Sequence, residues 1–225
     1  MHDCPRTSDA DTDAPSPGGP SFKLLACTAI IGALLVANGL RDDHPPQPSS
    51  AHARPSSAQP ALRHAPDPSA VRHLPPADPV RLLIPEIGVD APMMPLKLDG
   101  EGTLQTPPAD SPGMAGWYAD GTAPGAVGTA VAAGHVDTPL GPGVFYRLGA
   151  LEQGDTIEVV REDRRTAVFT VDAVEVHDKA DFPDDKVYGN SGRPELRVIT
   201  CGGDYSKGTG YQGNVVVYAT LEPEN

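Results

Sequence analysis

Short apolar runs punctuated by Gly and Pro dominate the chain from Val80 onward, and their apolar positions recur with period two more often than 3.6. Val80–Ile84 reads as a strand closed by Pro85, and Ile87–Met93 as a turn with a short extended piece. Asp99–Gly102 is a tight turn leading into Thr103–Thr106, and the prolines crowded between Pro107 and Gly113 make that stretch irregular. Trp117 and Tyr118 are placed in the core, with a cleft wall as the alternative. Thr129–Ala133 is a strand of small residues, so something must pack close against it. Gly154-Asp155 turns the chain into Thr156–Val160, and Glu162-Asp163 turns it again into Arg165–Val176. Within that last run Ala167, Phe169, Val171, Ala173 and Glu175 share one face, and Val168, Thr170, Asp172 and Val174 the other. Lys179–Asn190 lacks strand character and is expected as a short capped turn or helix, a wall or lid of a site. Leu196–Thr200 is a buried strand ending in Cys201, followed by two glycines, a polar loop and the strand Val215–Thr220. Seven or eight short strands, few helical patterns and many turns predict an all-β fold, as a closed or nearly closed barrel with short helices and long loops.

Upstream the pattern changes. Leu24–Leu40 is 17 residues without a charge, flanked by Lys23 and Arg41. That is the short end for a bilayer span, extended by Phe22 and by snorkelling of the flanking cations. A cleaved signal peptide is the alternative, but its apolar core is commonly shorter than this one, which also follows a 21-residue polar leader. The expected organisation is a polar cytoplasmic leader over 1–21, a transmembrane anchor over 22–40, a Pro/Ser/Ala-rich disordered linker over 41–79 and a folded domain over 80–225. That makes a single-pass protein of the bacterial plasma membrane with its N-terminus inside and its folded domain extracellular. The linker's loosely spaced His44, His52, His64 and His73 lack a scaffold for metal.

Net charge is −13, and from Val80 onward 11 Lys and Arg stand against 22 Asp and Glu. An acidic domain without a basic cluster excludes a nucleic-acid partner. The three cysteines are Cys4, Cys27 and Cys201, and export would leave Cys201 without a partner in its own chain. It is then a small buried apolar residue or a thiol kept for its chemistry.

His135 mirrors Cys201: it also follows a glycine at the end of a buried strand. A thiol and an imidazole are what nucleophilic acyl transfer needs, the imidazole taking the thiol proton and later protonating the leaving amine. The N–H groups of Gly202 and Gly203 are candidate oxyanion donors, and Asp137 is a possible orienter of His135. His177 ranks behind His135 because no glycine frames it. One Cys and one or two His without a close ligand pair do not make a zinc site, and no cofactor is called for.

Thr200-Cys201-Gly202-Gly203, Asn214–Ala219, Gly134-His135-Val136-Asp137, the opening Leu83–Pro92, and Phe145–Leu148 with Leu151–Asp155 together resemble the sortases, most closely the actinobacterial class F group. The resemblance covers about Val80 to Leu221. It implies an eight-stranded β-barrel and a cysteine transpeptidase that cleaves an LPxTG-like sorting motif near a substrate's C-terminus, holds the acyl group as a thioester and passes it to an amine. Its partners would be sorting-motif-bearing surface proteins and an amine acceptor on a peptidoglycan precursor. By position Cys201 would be the nucleophile and His135 the general acid or base.

One departure stands out, because no arginine follows Cys201 where the family places one to balance the oxyanion. Lys207, the only cation in the loop, and Asn214, 13 residues after Cys201, are the substitutes the loop offers. Arg197 lies four residues back on the strand, about 13 Å away, while Arg147 and Arg193 come from loops and remain open. A sortase-like peptidase that mainly hydrolyses, and a non-catalytic peptide-binding barrel, are the alternatives.

Overall fold

The computed structural model describes residues 44–48 and 73–223. Its strands are β1 (Pro79–Ile84), β2 (Val89–Leu96), β3 (Ala115–Tyr118), β4 (Gly128–Ala133), β5 (Asp137–Thr138), β6 (Gly141–Pro142), β7 (Thr156–Arg161), β8 (Thr166–Asp178), β9 (Pro194–Ser206) and β10 (Gly210–Leu221). Eight of them close a barrel in the order β1-β2-β3-β4-β9-β10-β8-β7, while β5 and β6 form a small separate hairpin. Closure removes the exposed edges that short strands would otherwise present. The expected eight-stranded all-β barrel is therefore the fold.

The inner faces follow the alternation in sequence. Leu82 and Ile84 of β1, Ile157 and Val159 of β7, Phe169 and Val171 of β8, and Leu196 and Val198 of β9 are all fully buried in one cluster. The phase of β8 then slips, because Ala173 pairs with Tyr218 but Val171 with Ala219, leaving Asp172 as an extra residue. Val174 thus returns to the inner cluster, although strict alternation put it on the opposite face from Val171.

A second apolar layer lies outside the barrel wall. Val131, Ile199, Val216 and Tyr218 form it, and a short helix α1 (Asp184–Tyr188) covers it with the fully buried Val187. This explains the small residues of β4, every one of which is buried: Ala130 and Ala132 join the inner cluster while Val131 faces the outer one. Trp117 is buried, and Tyr118 packs with the outer layer.

The folded part begins before residue 80. β1 starts at Pro79, and Leu74 joins the inner core, its N–H donating to the Gly125 carbonyl at 2.7 Å. Burying such a leucine contributes about 1.5–3 kcal/mol. Arg161 fastens the same segment, its buried guanidinium donating to the carbonyls of Pro75 and Pro124 and to Asp163. Pro45 is also buried, so part of the stretch expected as free linker packs on the domain.

The expectation of a single-pass membrane protein is corrected. Among the described residues no helix is long and apolar enough to cross a membrane. The leader over 1–21, the anchor over 22–40 and most of the 41–79 linker lie outside the described residues.

Candidate active site

β4 and β9 run parallel, and their register pairs Val131 with Arg197 and Ala133 with Ile199. The pairing continues past the end of β4: Gly134 N–H donates to the Ile199 carbonyl at 3.2 Å, and Thr200 Oγ1 donates to the Gly134 carbonyl at 2.9 Å. His135 then follows one residue past Gly134, and Cys201 one residue past Thr200, at the same end of two strands spaced about 4.8 Å apart. Residues that the sequence separates by 66 positions come to neighbouring strand ends because the parallel β4–β9 pairing holds its register up to Gly134.

The His135 backbone is held in place by Phe145, whose N–H donates to the His135 carbonyl at 3.0 Å. Its ring Nε2 lies 2.7 Å from the Pro107 carbonyl. A carbonyl only accepts, so Nε2 carries a proton, which leaves Nδ1 as the position that gains or loses one. The irregular stretch after Pro107 thus selects the tautomer of the candidate base, a role that no local sequence signal marks.

Cys201 is partly exposed and faces outward, in line with Ile199 and Arg197 on β9. On β10 its pairing partner is Asn214, which in turn pairs with His177 on β8. Those three residues form one row across three strands. The next row is Gly202, Gly213 and Asp178, the two glycines offering no side chain. β9 does not stop at the glycines but continues to Ser206, with Gly203 at a φ of 75° in a bulge opposite Gln212. Beyond it the β9–β10 ribbon is braced by an edge contact between Tyr205 and Tyr211, 5.0 Å between ring centres.

Asp137 Oδ2 accepts from the Tyr211 hydroxyl at 2.6 Å, tying the β5–β6 hairpin to the ribbon. Burial and Asp137 together raise the Tyr211 hydroxyl well above its ordinary value, so it stays a neutral donor. Gly203 N–H donates to Gln47 Oε1 at 3.0 Å. Lys207 sits in the exposed turn at the ribbon tip. Arg193 and Arg197 both pair with Glu195, at 2.8 and 2.6 Å. Arg147 lines a cavity of about 320 Å³ with Ile87, Gly88 and Tyr146, next to Gly143. His177 is engaged on the outer face, its Nε2 2.9 Å from the Tyr218 hydroxyl and 3.1 Å from Glu175.

The cation at the thiol is one that sequence reasoning missed. Lys179 Nζ lies 3.8 Å from Cys201 Sγ and donates to the Tyr211 carbonyl at 2.9 Å. It comes from the turn after β8, which Asp178 caps by accepting from Ala180 N–H at 2.8 Å. β8 reaches β9 only across β10, a pairing order that sequence spacing does not reveal.

A longer cavity of about 570 Å³ opens on the same outer face, lined by Leu98, Leu104, Tyr118, Val131 and Tyr188 among others. Val131 is four residues before His135 on the β4 path, about 13 Å of extended chain. Among the described residues no group of three or more His, Cys, Asp and Glu side chains is placed to hold a metal ion.

Comparison with known proteins agrees with this geometry. A family model described as the Sortase domain matches residues 82–222. Among solved structures, the complex of Streptococcus agalactiae sortase C1 with MTSET is 18% identical, with 66% of this chain and 71% of that one covered and a TM-score of 0.50. A lid mutant of Corynebacterium diphtheriae sortase A is 19% identical, with 70% and 75% covered and a TM-score of 0.50. At such identities the likeness is one of fold. None of the curated proteins matches the chain.

Proposed function

From the premise that the chain belongs to the sortase family, and is an enzyme of the cysteine transpeptidase type, we propose that it cleaves an LPxTG-like sorting motif and transfers the acyl group to an amine. The observation that carries this reading is that the parallel β4–β9 pairing brings His135, two residues past the end of β4, and Cys201 of β9 to neighbouring strand ends. Cys201 Sγ attacks the carbonyl between the motif's Thr and Gly, and His135 takes the thiol proton and returns it to the leaving amine. The acyl group rests on Cys201 as a thioester until an amine, on a peptidoglycan precursor, displaces it. Gly202, next to Cys201, and Asn214, its pairing partner on β10, are the residues we assign to the reacting carbonyl, whereas the Gly203 N–H is taken up by Gln47 Oε1.

The outer cavity supports a peptide of this kind. Leu98, Leu104 and Val131 in its lining suit the Leu-Pro end of such a motif, Thr103, Thr129 and Asn190 offer its backbone polar partners, and the span from Val131 to His135 matches four extended residues. Sorting-motif-bearing surface proteins are then the substrates. Within the family we propose the class F subgroup, on the resemblance of the Gly134–Asp137, Thr200–Gly203 and Asn214–Ala219 motifs alone. Hydrolysis is the second reading, favoured by the partial exposure of Cys201, which lets water reach the thioester.

The full chain, incubated with LPxTG-like peptides and an amine, tests this by intact-mass spectrometry. An adduct on Cys201 is expected, absent in Cys201→Ala and formed about 10²–10⁴-fold more slowly in His135→Ala. Cleavage that persists in Cys201→Ala would sink the reading. Cleavage without amine-linked product would select hydrolysis.

A further inference from the structure

We propose that Lys179, not a residue of the loop after Cys201, is the cation that balances the oxyanion in the acylation of Cys201. This deepens the reading above and rests on it, since it needs Cys201 as the acyl acceptor. The oxyanion of a tetrahedral intermediate needs a donor aimed at it, and the loop after Cys201 has no arginine. Arg193 and Arg197 are committed to Glu195, Lys186 to Glu175, and Lys207 stands at the ribbon tip. Lys179 is already at the sulfur, 3.8 Å from Nζ to Sγ.

The local structure holds it there. Asp178 caps the turn, so the chain leaves the strand direction at Lys179. Two strand spacings, about 10 Å, separate β8 from β9. The row between them is Gly213 and Gly202, so no side chain of that row blocks the way, and the Tyr211 carbonyl fixes the ammonium at 2.9 Å. A lysine ammonium has three N–H donors. One goes to Tyr211 and one to the sulfur, which leaves the third for a carbonyl oxygen arriving at Cys201. Among the described residues no carboxylate stands within ion-pair distance of Lys179, so its charge is not already neutralised.

The step balances without any further reagent. The thiol proton passes to His135 and the Sγ–C bond forms. The carbonyl π pair moves onto oxygen, where the third N–H of Lys179 meets it. Collapse re-forms the carbonyl, breaks the C–N bond and sends the electron pair to the amine, which takes its proton from His135. Lys179 remains an ammonium throughout. It contacts the oxyanion, so it is a catalytic residue in the direct sense.

The test uses the full chain and an acyl donor that needs no sorting motif, p-nitrophenyl acetate, because it forms the same kind of oxyanion at Cys201. The Cys201-dependent burst of p-nitrophenolate is expected to slow about 10²-fold in Lys179→Met. Lys179→Arg should recover to within about tenfold of wild type, and Lys207→Met should stay within about twofold. The loss should fall on the acylation rate and not on the ester concentration that half-saturates it. A second probe needs no acyl chemistry: the rate ratio of iodoacetate to iodoacetamide at Cys201 should fall in Lys179→Met, because only the anion is drawn by a cation at the sulfur. A wild-type burst in Lys179→Met, or an unchanged alkylation ratio, overturns the proposal. Equal losses in the Met and Arg variants with unchanged melting temperatures would also overturn it, by assigning Lys179 to packing. If sorting peptides fail with wild type while the ester burst depends on Lys179, the substrate reading fails and the cation assignment stands.

Discussion

Two groups of cations share the outward face of β8, β9 and β10, and they are built differently. Arg197 is nearly buried, paired with Glu195 at 2.6 Å, and lies 4.7 Å over the Tyr218 ring. Lys186 pairs with Glu175 and also lies over Tyr218, 5.0 Å from the ring centre. His177 joins Glu175 and Tyr218 in the same network. Every charge there has its counter-charge, and the network ties α1 to the barrel wall. A few residues away, Lys179 is held by a carbonyl and a thiol and keeps its charge open. The paired group spends its electrostatics on the fold, where breaking a pair leaves a buried charge uncompensated. The open group leaves its electrostatics available to charge that appears only during reaction.

This contrast can be broken from either side. Arg197→Met should lower stability by about 1–3 kcal/mol in chemical denaturation, because Glu195 keeps only the more exposed Arg193. Its acylation rate, measured on folded protein, should be unchanged, and a large rate loss would erase the distinction between the two groups. Asp137→Asn is expected to cost less, about 0.5–1.5 kcal/mol, by weakening the bond from Tyr211 to the β5–β6 hairpin. Because Asp137 is engaged by Tyr211, the same variant should leave the pH profile of acylation in place. A displaced profile would make Asp137 the orienter of His135 after all.

The smallest effect concerns pH. Burial is the main cause that pushes the His177 imidazole below its ordinary value of 6.5, and Glu175 opposes the shift. The unfolded chain therefore binds the proton at higher pH than the fold does. This share of stability is complete above 6.5 and is lost as pH falls through the lower folded value. Thermal melts between about pH 7.5 and about pH 5 should show a shallower decline in His177→Gln than in wild type. A steeper decline would mean that the protonated ring is stabilised by Glu175.

The strands of the barrel were readable from alternation because a half-buried strand must alternate. Ala167, Phe169 and Val171 face inward as their spacing predicts, whereas Val174 does not, because a bulge at Asp172 shifts the phase. Bulges are set by what the partner strand does, and β10 lies more than 30 residues downstream of β8. The small residues of β4 announced close packing, but not that it comes from two sides, the inner cluster against Ala130 and Ala132 and the outer layer against Val131.

For the site, local sequence marked Cys201 and His135, since a reactive side chain framed by glycine at a strand end is a feature of a few consecutive residues. The same local reading looked for the balancing cation in the loop after Cys201, and there it could find only Lys207 and Asn214. Strand order decided the rest. β8 lies beside β10 and β10 beside β9, so Lys179 arrives at the thiol from 22 residues upstream, and the Pro107 carbonyl arrives at His135 from 28. What a residue is follows from its own side chain, whereas which residues share a site depends on pairings made across the whole barrel.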